Sequence, residues 1–148
     1  IGAGPFMNGV ASLLRHIDED GISNIRIWPD DVRLILDFLP EACLAGAYIM
    51  FPDPWPKKRH AGRRILQASM RDRLARLIRP GGSLRMASDH PIAKTWLLAE
   101  AMADDRFEWR ASSAKDWQNR PKGWPETRYM AKGVDEGRAS SWFDFVWL

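Results

Sequence analysis

The chain has a single cysteine, Cys43, so no internal disulfide can form and nothing calls for an oxidising compartment. No apolar run approaches the ~20 residues that a membrane-spanning helix needs. The start carries no secretory pattern. These absences predict a protein working in a reducing cytoplasm, with no membrane partner. Three histidines, His16, His60 and His90, do not combine with one cysteine into a zinc-holding pattern, so no metal is expected. There is no Gly-x-Ser-x-Gly elbow and no Gly-x-x-x-x-Gly-Lys phosphate loop. Repeats, low-complexity stretches and domain linkers are missing as well. An initial methionine is also lacking: Ile1-Gly2-Ala3 reads like the end of a strand already under way. The expectation is therefore one domain over residues 1–148 with an N-terminal part missing.

What is present suits a globular core. Hydrophobic residues make up 45% of the 148 and charged residues 28%, which is ordinary for such a domain. Apolar residues at Val10, Leu13, Leu14 and Ile17 have helical spacing, closed by Gly21. "NIRIW" is a short β-type run. Val32, Ile35, Leu36 and Leu39 fall on one helical face, with Asp30 or Asp31 as cap. "GAYIMFP" has the compact apolar character of a strand buried on both faces. Leu66, Met70, Leu74 and Leu77 predict a helix ended by Pro80-Gly81-Gly82, and "SLRMAS" the next strand. Asp89, His90 and Pro91 open a helix carrying Ile92, Trp96, Ala99 and Ala103. "RFEWRAS" and "SSWFDFVWL" read as strands, and residues 112–128 as a long polar loop. The alternation argues for an α/β fold with a largely parallel sheet and helices on both faces.

In such sheets ligands sit outside the carboxyl ends of the strands. Gly4, the pair Asp30-Asp31, Asp53 and Asp89 all fall there. Asp53 lies between Pro52 and Pro54, which fix their own backbone angles and restrict their neighbours. A carboxylate so held suits a binding or catalytic role, and equally a turn. Trp55 has two readings, stacking on a base or ribose and packing over the sheet edge. Six basic side chains follow within ten positions: Lys57, Lys58, Arg59, His60, Arg63 and Arg64. They fit phosphate neutralisation or a solvated face. Asp89 is a ligand contact or a helix cap. Composition does not single out Thr127 or Arg128.

"FPDPWPKKRH..RRI" is more specific. It resembles the signature of the bacterial single-chain tRNA (guanine-N7)-methyltransferases, and "NGVASLL", "SNIRIWPDD", "MASDH", "PETRY" and "WFDFVW" are similar to further stretches of that family. The resemblance implies a class I, Rossmann-like methyltransferase fold, with S-adenosylmethionine as cofactor and tRNA as partner. It implies methyl transfer to N7 of a guanine in the tRNA variable loop. By position, Asp53 matches the residue where methyl donor and guanine meet, and is the expected catalytic and cofactor-contacting residue. Asp31 matches a contact to the cofactor's adenine end, with Asp30 one residue away. Lys57, Asp89 and the stretch Thr127, Arg128, Tyr129 and Met130 match substrate-binding positions. Gly4 stands where the family usually has a cofactor-binding glutamate, and Met130 where the late motif usually ends in glutamate. The family's glycine-rich first strand and loop have no counterpart in this chain. A second reading is thus a non-catalytic tRNA-binding remnant of the same fold. A third is a sheet-edge interaction module, which salt dependence would separate from the other two.

Overall fold

The computed structural model describes the backbone of all 148 residues and every side chain except that of Arg128. The chain forms two compact units, residues 1–39 and 40–148.

In the first unit, β1 (Gly2–Ala3) pairs in parallel with β2 (Ile27–Trp28). Between them runs α1 (Met7–Glu19), which ends where Gly21 takes a positive φ of 63°. The predicted second helix is short. Only α2 (Arg33–Leu36) forms, and Leu36 is its buried residue.

The second unit is built on a four-stranded sheet. Its strands are β3 (Leu44–Met50), β4 (Ile78–Ser88), β5 (Phe107–Trp109) and β6 (Ser141–Trp147), in the order β3-β4-β6-β5. β3 and β4 are parallel, and β6 runs antiparallel to both β4 and β5. Three of the four strands therefore point the same way, as the alternating pattern predicts, with β6 reversed. Helices α3 (Ala68–Leu77) and α4 (Pro91–Met102) connect them. Leu66, Leu77, Leu84, Met86, Leu97 and Phe145 are fully buried and make the core. Burial alternates through Gly82, Leu84 and Met86 in the middle of β4, follows the helical period along α3 at Met70, Leu74 and Leu77, and takes in both faces of β6, five of whose seven residues are buried.

The structure corrects four expectations. β3 is an edge strand, not one buried on both faces; Tyr48 and Met50 are exposed while Ile49 is buried. Pro80-Gly81-Gly82 does not end α3, which stops at Leu77; it lies inside β4, where the pairing skips from Leu44↔Ile78 to Gly46↔Ser83. A Cβ at Gly82 would sit 2.8 Å from the Ala45 carbonyl oxygen, so only glycine lets the two backbones approach there. Helix α4 buries Ala93, Leu97 and Ala101, whereas Ile92 is exposed and Ala103 lies just past the helix. Finally, residues 112–128 are not all loop. A capping box of Ser113 and Asp116 starts α5 (Ala114–Gln118), and Thr127 caps α6 (Arg128–Asp135). No helix among the described residues is long and apolar enough to cross a membrane.

Candidate functional site

Parallel pairing puts the ends of β3 and β4 on one edge of the second unit's sheet. Asp53 follows β3 there and Asp89 follows β4. The chain leaves β3 with one more ladder bond, from the Phe51 N–H to the Ala87 carbonyl at 2.8 Å. It then turns through two bulky residues at positive φ, Phe51 at 46° and Trp55 at 40°. For aromatic residues that conformation is strained by about 1–3 kcal/mol each. Asp53 sits between these two strained points and between its two prolines. Its carboxylate is exposed and makes no hydrogen bond or ion pair among the described residues.

The basic run divides into two groups. Arg64 faces inward and clamps the loop, its Nε donating to the Pro54 carbonyl at 3.3 Å and its Nη2 to the Trp55 carbonyl at 3.1 Å. Its guanidinium also lies over Trp96, 4.4 Å from the ring centre. Arg63 covers Trp55 at 4.9 Å, and the His60 ring meets Trp55 edge-on at 5.8 Å. Trp55 is thus packed between the Arg63 guanidinium and the His60 ring. Lys57, Lys58 and Arg59 point to solvent, with Arg59 touching only His60 among the described residues.

Beside this loop lies an aromatic groove of about 580 Å³. Tyr48, Met50 and Phe51 form one wall, and Trp124, Tyr129 and Met130 the other. The Phe51 and Tyr129 rings are nearly parallel, at 13° and 6.5 Å, and Tyr129 is largely exposed. Thr127 also lines the groove, but its hydroxyl accepts the Met130 N–H at 3.2 Å and starts α6. Met130 is buried against Ala87 and Trp142, so its side chain is mainly a core contact. The Arg128 side chain lies outside the described residues.

Asp89 is already partnered. Its Oδ2 accepts from Arg138 Nε at 2.9 Å, and Arg138 also pairs with Glu136. A Cβ on Gly133 of α6 would lie 2.5 Å from that same Oδ2, so the helix approaches the carboxylate only because glycine is there. The cap of α4 is not Asp89 but His90, whose Nδ1 accepts the Ile92 N–H at 3.2 Å.

Gly4 and Asp31 belong to the first unit and follow β1 and β2 at their shared carboxyl edge. Gly4 donates its N–H to the Trp28 carbonyl, and none of the described residues lies within 4 Å of where its Cβ would stand. The Asp31 carboxylate accepts from the guanidinium and the backbone N–H of Arg33, and these hydrogen bonds, the guanidinium's foremost, hold its pKa below the usual carboxylate value against the opposing effect of burial. Asp30 caps the Asp31 N–H.

Sequence reasoning missed the groove residues Tyr48, Phe51 and Trp124, and the clamp formed by Arg64. Aromatic residues in strands signal packing as readily as binding, and one arginine in a basic run carries no mark of facing inward.

The comparisons with known proteins agree with this picture. A family model described as a putative methyltransferase matches residues 1–141. A tRNA (guanine-N(7)-)-methyltransferase from Rhodospirillum rubrum is 46% identical over 98% of this chain, which spans 57% of that relative's length. Among solved structures, an rRNA methylase from Streptococcus thermophilus superposes with a TM-score of 0.61 at 13% identity, over 99% of this chain and 71% of that one. A SAM-dependent O-methyltransferase from Thermotoga maritima gives 0.56 at 14% identity, over 99% and 48%. At such low identity these two likenesses speak for the α/β Rossmann-like fold. The match over nearly the whole sequence speaks for descent, and the chain belongs to this methyltransferase family.

Proposed function

We propose that this protein transfers a methyl group from S-adenosylmethionine to N7 of a guanine in tRNA. The observation that carries the reading is Asp53, an uncommitted carboxylate on a stiff, strained strand-end loop beside an aromatic groove. The name of the Rhodospirillum relative supports the same reaction. Guanine N7 has a free lone pair, so no base must remove a proton before it attacks. The protein's task is alignment. In this reading Asp53 accepts hydrogen bonds from the guanine N–H edge and offsets the positive charge that appears on the methylated ring. The groove between Phe51, Tyr129 and Trp124 offers flat apolar surface to a purine. Lys57, Lys58 and Arg59 neutralise phosphates of the tRNA backbone.

S-adenosylmethionine supplies the electrophilic methyl group when bound. Open space at Gly4 and the exposed carboxylate of Asp31, at the ends of adjacent parallel strands, fit its ribose and adenine end. Both units then belong to one methyltransferase domain, and work on tRNA sets it in the cytoplasm.

The test is Asp53→Ala in the full-length protein, followed with a labelled methyl donor and unmodified tRNA. Methyl transfer should fall by about 10²–10³-fold, the scale of removing one preorganised electrostatic interaction. The melting temperature should not move, because the carboxylate holds nothing else in place. Wild-type turnover in the variant would remove Asp53 from the reaction.

A further inference from the structure

A second cavity, of about 290 Å³, opens where β5 ends and the chain leaves the edge of β6. Its lining combines Trp109, Trp124 and Trp142 with Arg85, Arg110 and Lys122. Two acids also face it, and both are engaged. Asp144 pairs with Arg85 at 3.3 Å, while Asp116 accepts from the N–H and hydroxyl groups of Ser112 and Ser113. Arg110 and Lys122 are different: both are exposed, and neither side chain has a hydrogen bond or ion pair among the described residues. Two of the indoles are also short of a partner. The Nε1 atoms of Trp109 and Trp142 are buried with no acceptor among the described residues, and Trp142 as a whole is 8% exposed. A buried donor left unpaired costs about 1–3 kcal/mol.

Flat indole surface and two uncommitted cations match two parts of one nucleotide, a π-face and a phosphate. Position adds to the chemistry. Trp124 lines this cavity and also the aromatic groove beside the Asp53 loop, so the two recesses share a wall. We infer that this cavity binds an unstacked nucleotide of the substrate RNA next to the methylated guanine, its base against the indoles and its phosphate on Arg110 and Lys122. The inference rests on the reading of the aromatic groove as the guanine site. An acidic protein segment would use the two cations but leave the indole surface without a role.

Arg110→Gln combined with Lys122→Gln tests it, beside Lys57→Gln combined with Lys58→Gln, both in the full-length protein with tRNA as the probe. For the Arg110/Lys122 pair, the slope of log affinity against log salt should become shallower by about 1 for each phosphate no longer neutralised. S-adenosylmethionine binding and the melting temperature should stay as in the parent. A tRNA carrying 5-iodouridine beside the target guanine should crosslink to the peptide holding Trp109 or Trp124. An unchanged slope, with crosslinks confined to residues 57–64, would overturn the nucleotide site and leave the methyltransferase reading standing. If neither pair alters tRNA binding, the nucleotide site and the phosphate contacts of Lys57 and Lys58 both fall, and Asp53→Ala decides the methyl-transfer reading separately.

Discussion

Arg64 offers the sharpest test of how the Asp53 loop works, because charge and geometry predict different outcomes. If Arg64 met phosphates, Arg64→Lys would keep most of its function. The structure instead gives it two carbonyl acceptors in the loop and a stacking partner in Trp96. Two hydrogen bonds from a charged donor, partly screened, together with a cation–π contact, contribute about 2–3 kcal/mol. That is comparable to the strain of Phe51 and Trp55, about 1–3 kcal/mol each, so without the clamp the loop has reason to relax. A shift of 2–3 kcal/mol lowers the population of the held conformation about 30- to 150-fold, and kcat should fall by that factor. Lysine is a point charge on a flexible stem and cannot bridge two carbonyls while stacking. Arg64→Ala and Arg64→Lys should therefore lose kcat alike in a methyl-transfer assay, with the salt slope of tRNA binding unchanged. Wild-type kcat in Arg64→Lys, with a shallower slope in Arg64→Ala, would refute the clamp.

Other consequences are as direct. Gly4→Glu should leave the melting temperature unchanged, since a side chain there meets nothing; a clear drop would show that the open space is needed. Lys57→Gln with Lys58→Gln should weaken tRNA binding more at low salt than at high salt, measured by titration at several ionic strengths. Asp104, buried beneath Arg106, is kept charged by that arginine's hydrogen bonds, which lower its pKa against the opposing effect of burial. Its folded pKa lies below the unfolded one, so its stabilisation is present above about pH 4 and disappears as pH falls through the folded value. Asp104→Asn should cost about 2–3 kcal/mol at neutral pH in denaturant unfolding and flatten the acid limb of the stability curve.

Much of the second unit was legible because its elements bury one face in a regular period. Met70, Leu74 and Leu77 announce α3, which begins two residues after Leu66, and alternating aromatics announce β6, although β6 is buried on both faces. Where the period is broken by local chemistry, the reading failed. Pro80-Gly81-Gly82 has the residues of a helix stop, yet they serve a bulge against β3, a tertiary pairing that no local pattern reports. The capping box at Ser113 and Asp116 was visible in the sequence but lay within prolines and tryptophans that suggested loop. The strand-end positions of Gly4, Asp31, Asp53 and Asp89 follow from fold class alone. What each carboxylate touches does not: Asp89 is committed to Arg138 and Asp53 to no partner among the described residues, and only three-dimensional packing separates them.

Helix α6 has eight residues, with a glycine inside it, and is too short to persist alone in water. It is held from outside, by Met130 in the core at one end and by the Asp89–Arg138 pair near the other. Such an element opens as a small cooperative piece while the sheet beneath stays folded. Its amides should exchange with solvent long before those of β4 and β6. One wall of the aromatic groove, Tyr129 and Met130, would then come and go with that opening, so that access to the groove varies while the sheet edge stays fixed.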